Sequence, residues 1–140
     1  YELTDMDWEI NADGLEDLIK CVREHYTDKP IIITENGAAF KDVVKNGKVH
    51  DDKRVKYIKN HLEVIEKMHI KYRIKGYYLW SLFDNFEWSY GYTKRFGIVF
   101  TDYKQKKKIA KDSYWFYKDF IEKRRYHTSF LLLKKATKMI

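Results

Sequence analysis

Three consecutive isoleucines, Ile31 to Ile33, follow the only proline of the chain, Pro30, and run straight into Thr34-Glu35-Asn36-Gly37. No other stretch limits the fold as much. Unbroken β-branched residues without polar alternation predict a short strand covered on both faces, the pattern of a parallel sheet packed under helices. Asn36-Gly37 predicts an abrupt turn, so the strand stops at Glu35. A carboxylate at the C-terminal end of a buried strand has two readings. It is either a solvated strand end or a catalytic group, since barrels of alternating strands and helices place their chemistry there.

The flanking segments fit an α/β unit. Asp13 to Tyr26 predicts a helix, with Asp13 as N-cap and Glu16 at capping-box spacing. Leu15, Leu18, Ile19, Val22 and Tyr26 form its apolar stripe. Val43 to Val49 holds an Asn46-Gly47 pair between valines, a hairpin signal. Asp51-Asp52 can cap a second helix, whose buried face carries Val55, Ile58, Leu62, Ile65 and Met68. His61 shares that face and is read as a packed or hydrogen-bonded histidine, not a ligand. Ile74 to Phe83 is a second, mostly apolar strand. Strand, helix and strand together favour a right-handed parallel crossover. Residues 84–95 read as a polar and aromatic loop containing a solvated Lys94, Phe96 to Tyr103 as a short extended segment, and Lys111 to Arg125 as a final helix.

Composition narrows the classes. A chain of 140 residues has one domain's length, and 44% hydrophobic residues suffice for a core. No apolar run approaches a membrane span. Cys21 is the only cysteine, so no internal disulfide forms and a reducing, cytoplasmic setting is expected. Residue 1 is Tyr rather than Met, as in a segment or a processed product. No metal is expected among five histidines and one cysteine, and no cofactor. Residues 104–140 hold 12 basic and 3 acidic residues, a balance of +9, which leaves −2 for residues 1–103. The basic excess therefore lies in the tail. It is read as a solvated helix with a basic extension rather than a nucleic-acid or membrane contact.

The aromatic residues point towards function. Twelve of the 24 fall between Tyr72 and Tyr103. A loop needs no such density to fold, but a sugar site does, because pyranose C–H faces stack on indole and phenol rings while hydroxyls seek carboxylates and amides. Trp8, between Asp7 and Glu9, either packs in a core or lines a cleft mouth.

Several of these runs together strongly resemble glycoside hydrolase family 1, the β-glucosidases and related retaining β-glycosidases. They are Ile33-Thr34-Glu35-Asn36-Gly37, the run from Gly76 to Trp88 (Gly-Tyr-Tyr-Leu-Trp-Ser-Leu-Phe-Asp-Asn-Phe-Glu-Trp), Gly91-Tyr92, and Arg95-Phe96-Gly97. The lead-in Asp5 to Ile10 and the run Val49-His50-Asp51 also look like that family. The resemblance extends from about Leu3 to about Lys123. It implies that residues 1–125 form the C-terminal portion of a (β/α)8 TIM barrel, with strands seven and eight at Pro30–Glu35 and Ile74–Phe83. Residues 126–140 are an unmatched basic tail.

By the same resemblance, Glu35 matches the catalytic nucleophile and Trp80 the tryptophan beneath the sugar. Glu87 matches the carboxylate that holds the sugar's outer hydroxyls, and Trp88 the indole beside it. Trp8 resembles the tryptophan that stacks on the leaving group, and Phe96 packs against the set. The implied substrate is a β-glucoside or another neutral β-glycoside. The family's acid/base carboxyl lies in an Asn-Glu-Pro run, and these 140 residues contain none. The implied partner is therefore the barrel segment that carries it. The alternative is a non-catalytic carbohydrate-binding or interaction fragment of the same barrel.

Overall fold

A computed structural model describes the backbone of residues 2–137 and the side chains of residues 2–124. Helix α1, Ala12–His25, is capped by Asn11, whose side-chain oxygen accepts from the Gly14 N–H at 2.9 Å. The cap is thus two residues earlier than the expected Asp13, because Asn11 already has extended backbone and a free acceptor. Glu16 has a different task from the expected capping box. It pairs with Lys20 at 2.9 Å and with Lys67 at 2.7 Å, and the second pair ties α1 to the next helix.

Strand β1, Ile31–Asn36, hairpin strands β2, Val44–Lys45, and β3, Lys48–Val49, helix α2, Asp52–Met68, and strand β4, Ile74–Leu79, follow in order. β1 and β4 pair in parallel with α2 between them in sequence, which is the expected strand–helix–strand unit. The β2–β3 turn has positive φ at both Asn46 and Gly47, as a two-residue type I′ hairpin requires. β4 ends at Leu79, short of the expected Phe83, and is followed by a cis Trp80–Ser81 peptide. Strands β5, Val99–Asp102, and β6, Lys107–Ala110, form an antiparallel hairpin, of which the sequence predicted only the first arm. Helix α3 spans Asp112–Thr137, so its backbone continues past the expected Arg125. The side chains of the predicted basic tail, 126–140, lie outside the described residues.

Two apolar clusters hold these elements together. Ile19, Val64, Ile65, Met68, Tyr72 and Ile74 join α1, α2 and β4, with Ile31 and Ile33 packed against them. Ala38, Phe40, Tyr57, Ile58, Leu62, Ile98 and Val99 join α2 to the loops beyond the strands, with α3 aromatics on their flank. Full burial of a residue such as Ile58 contributes about 1.5–3 kcal/mol. His61 is buried as expected. Its Nδ1 lies 2.8 Å from the Tyr57 carbonyl, and its ring stacks on Tyr57 at 4.0 Å.

One expectation is corrected. The isoleucine strand is covered on one face, not two. Ile31 and Ile33 meet the helices, whereas Ile32 is 54% exposed. Ile31 and Ile33 pack against the α1–α2 cluster, and the pleat that carries Ile32 is open among the described residues. Leu18 and Tyr26 of the predicted α1 stripe are also exposed. Among the described residues, no helix is long and apolar enough to cross a membrane.

Candidate active site

The end of β1 is irregular in a way that aims Glu35. Ile33 pairs with Tyr77, but Asn36 pairs with Leu79, so three steps along β1 match two along β4. The extra residue changes which side each following side chain takes, a common device beside active sites. Asn36 is held towards the helices. Its Nδ2 donates to the Tyr57 hydroxyl at 3.1 Å, and its Oδ1 accepts from the Tyr77 hydroxyl at 2.7 Å. Burial raises the pKa of both phenols, so each stays neutral, Tyr77 as the donor and Tyr57 as the acceptor. Glu35, next to this anchor, is exposed and opens into a cleft.

The chain then turns through Gly37 against Trp80. The Trp80 N–H donates to the Asn36 carbonyl at 2.9 Å. The cleft formed here has a volume of about 570 Å³ and is lined by Trp8, Glu35, Trp80, Glu87, Trp88 and Phe96. All six predicted site residues thus meet at one place. Asn36, Gly37, Asn85 and Phe86 line it as well. They belong to the same motif runs as Glu35 and Glu87, and that adjacency is the sequence signal for them.

Each wall has its own support. The Thr4 hydroxyl accepts from the N–H groups of Met6 and Trp8, both at 3.2 Å, and curls the lead-in. The Trp8 ring then tilts against Phe96 with centroids 6.1 Å apart. Trp8 is half-exposed and Phe96 buried, so the tryptophan is a cleft wall standing on a core residue. Glu87 precedes a single 3-10 turn, Trp88–Tyr90, and its N–H donates to the Gly91 carbonyl at 2.6 Å. Behind this turn Phe86 meets Tyr92 edge to face, and Tyr92 tilts against Tyr103. Lys94 is not the solvated lysine expected. Its ammonium lies 3.4 Å from an Asp5 carboxylate oxygen, donates to the Asp5 carbonyl, and sits over the Tyr90 ring.

Beneath the cleft lies a network of charges that sequence reasoning missed. Asp84 is 4% exposed and accepts from Arg95 at 2.6 Å, the Gly97 N–H at 3.0 Å, the Thr101 N–H at 3.2 Å and Lys111 at 2.9 Å. Arg54, 2% exposed, donates to Asp42, Asp51 and the carbonyls of Phe40 and Arg95. Asp51 does not cap α2 through its side chain. It receives the Ser113 N–H at 2.9 Å and hydroxyl at 2.6 Å, at the start of α3. Burial opposes the charge on both cations. For Arg54, Asp42 and Asp51 outweigh it and the pKa rises. For Lys111, burial and the neighbouring Arg54 win and the pKa falls.

The sequence matches the family model described as glycosyl hydrolase family 1 over residues 1–126. The chain belongs to that family. Its relatives include a 1,4-β-D-glucan glucohydrolase from Thermotoga neapolitana, 50% identical over 81% of this chain and 26% of the relative. A 6-phospho-β-galactosidase from Leptotrichia buccalis is 46% identical over 82% of this chain and 25% of the relative. Among solved structures, a β-glucosidase from Exiguobacterium antarcticum superposes with a TM-score of 0.88 at 46% identity, over 90% of this chain and 28% of that one. This family 1 chain therefore spans about a quarter of the length of the relatives it matches, and its fold is that of part of their α/β barrel.

Proposed function

We propose that this chain supplies the nucleophile and the sugar-holding wall of a retaining β-glycosidase. The observation that carries the reading is the convergence of Glu35, Glu87 and the rings of Trp8, Trp80 and Trp88 on one cleft at the end of a parallel strand. β1 and β4 would then be strands seven and eight of the barrel. In the reaction, Glu35 attacks the anomeric carbon as the bond to the leaving oxygen breaks, giving a glycosyl ester. Water cleaves the ester with overall retention. The leaving oxygen takes its proton from a second carboxyl group about 5–5.5 Å away, which a further barrel segment would bring. Glu87 holds the outer hydroxyls, and the indoles stack on the C–H faces.

Family membership alone leaves open a neutral or a phosphorylated sugar, since the relatives include both kinds. The charge of the cleft favours a neutral one. Among the described residues its lining holds two carboxylates and no Lys, Arg or His, and the nearby Lys94 is engaged by Asp5. A phosphate about 4 Å from Glu87 would be repelled by about 4 kcal/mol per charge pair at an effective dielectric near 20.

The test pairs the 140-residue chain with the preceding three quarters of the Thermotoga neapolitana relative and an activated aryl 2-deoxy-2-fluoro-β-glucoside. Mass spectrometry is expected to find the sugar on a peptide containing Glu35. Labelling elsewhere would overturn the assignment. Sugar binding unaffected by Glu35→Gln, with no activity in the paired form, would instead support a non-catalytic carbohydrate-binding role. The chain by itself is expected to turn over ordinary glycosides poorly, because loss of acid assistance costs about 10²–10⁴-fold.

A further inference from the structure

Lys111 has no solvent exposure, yet its side-chain nitrogen meets two loops that border the cleft. Its Nζ lies 2.5 Å from Asp42 Oδ2, 2.9 Å from Asp84 Oδ1 and 2.5 Å from the Gly97 carbonyl. An ammonium has three donors, and all three are used. The acceptors come from two loops. Asp42 is in the segment that leaves Glu35 and Gly37. Asp84 opens the loop that carries Glu87 and Trp88, and Gly97 closes it just after Phe96. Lys111 is itself fixed, since its N–H donates to the Ile98 carbonyl at 3.0 Å and α3 starts at the next residue.

The other two cations of the network are placed differently. Arg54, on α2, reaches Asp42 and Asp51, and touches the second loop only at the Arg95 carbonyl. Arg95 reaches Asp84 from within the same loop. Among the described residues, Lys111 is the cation that bonds carboxylates of both loops.

We propose that Lys111 is a positioning residue for the cleft, a buried tether that fixes the Glu87–Trp88 loop at a set distance from the strand end that bears Glu35. The proposal rests on the reading that Glu87 and Trp88 hold a sugar, and it adds the element that holds them in register with the nucleophile. The compact ammonium suits the task because it satisfies three oxygens from different directions. An apolar residue of equal length leaves Asp84 with fewer donors and removes the bond that joins carboxylates of both loops, while the bonds of the Phe40 N–H and Arg54 to the Arg95 carbonyl stay.

The experiment uses the 140-residue chain and its Lys111→Met variant, followed by amide hydrogen exchange and indole N–H resonances. The Gly97 and Glu87 amides are expected to exchange at least about tenfold faster in the variant, while Ile58 and Leu62 keep the wild-type rates. The Trp80 and Trp88 indole signals are expected to move, and that of Trp115 on α3 to stay. Uniform acceleration of all amides, or unchanged Gly97 and Glu87 rates, would overturn the proposal. If the single variant does not fold, Asp42→Asn/Lys111→Met removes one charge of each sign and is read instead. Unfolding of that variant too would make Lys111 a determinant of the whole fold, and the tether idea would fall.

A titration with p-nitrophenyl 1-thio-β-D-glucoside separates the two levels. No indole shift in the wild-type chain counts against the sugar reading, while the exchange data still decide the grip of Lys111 on the loops. Wild-type binding that Lys111→Met leaves equally tight would sink the positioning role. Binding about tenfold weaker, with the local exchange pattern, supports it.

Discussion

Gly37 lies so close to Trp80 that a Cβ on it would stand 1.6 Å from the Trp80 carbonyl oxygen. The obstacle is backbone, so no rotamer can relieve it. Gly37→Ala is therefore expected to cost about 3 kcal/mol or more, at the upper end of overpacking penalties. It should also displace Trp80 from the cleft. Urea denaturation gives the first quantity and near-ultraviolet circular dichroism the second. Wild-type stability in this variant would show that the approach of the two segments is looser than described.

Arg54→Met is expected to be among the most destabilising single changes. It leaves Asp42 and Asp51, both with side chains 1% exposed, without their main counter-charge. Removing one partner of a buried ion pair costs about 3–5 kcal/mol. Lys111 still contacts Asp42, and Ser113 still contacts Asp51, so the loss should fall at the lower end of that range. Equilibrium denaturation at neutral pH measures it.

Burial lowers the pKa of His61 below 6.5, partly offset by its bond to the Tyr57 carbonyl. The sign follows from proton counts. Between the folded pKa and 6.5 the unfolded chain binds more protons, so stability rises with pH through that window. Acidification below 6.5 should destabilise the protein, and the His61 share of this loss should stop growing once pH passes below the folded pKa. His61→Phe preserves the stack on Tyr57 and removes the titration. Denaturation curves across pH 5–7.5 are expected to be flatter in this variant than in the wild type by the His61 contribution.

Trp88 is 84% exposed, so its contribution should be to binding and not to folding. Trp88→Ala is expected to change stability by no more than about 0.5 kcal/mol. It should weaken thioglucoside binding by about threefold to tenfold, the worth of one aromatic stack. Calorimetric titration and thermal melts on the same samples separate the two effects. A large loss of stability with unchanged binding would contradict the placement of Trp88 as a cleft wall.

Apolar pattern and turn chemistry made much of the fold readable. Ile31–Ile33 with Asn36-Gly37 marked β1 and its end. Asn46-Gly47 marked the hairpin, and the spacing of Ile58, Leu62 and Ile65 marked α2. Charged positions misled. Lys107 and Lys108 hid β6, because strands of this kind pair through backbone while their side chains stay polar. The joint burial of Asp42, Asp51, Arg54, Asp84 and Lys111 left no local trace, since one charge in a sequence does not reveal an opposite one 27 or 69 positions away. The site residues were recognisable as motifs. Their meeting in one cleft needed the irregular step at Glu35, which no local pattern announces.

The parallel pair β1–β4 has a further consequence for handling these 140 residues by themselves. Among the described residues each strand bonds only to the other, and Ile32 and Tyr78 are exposed on it. Unpaired edges beside apolar side chains are templates for another copy's backbone. Solubility should therefore depend steeply on concentration, and light scattering on dilution series would register self-association before any loss of helix signal. A strand-forming peptide that blocks one edge should raise the concentration at which this begins.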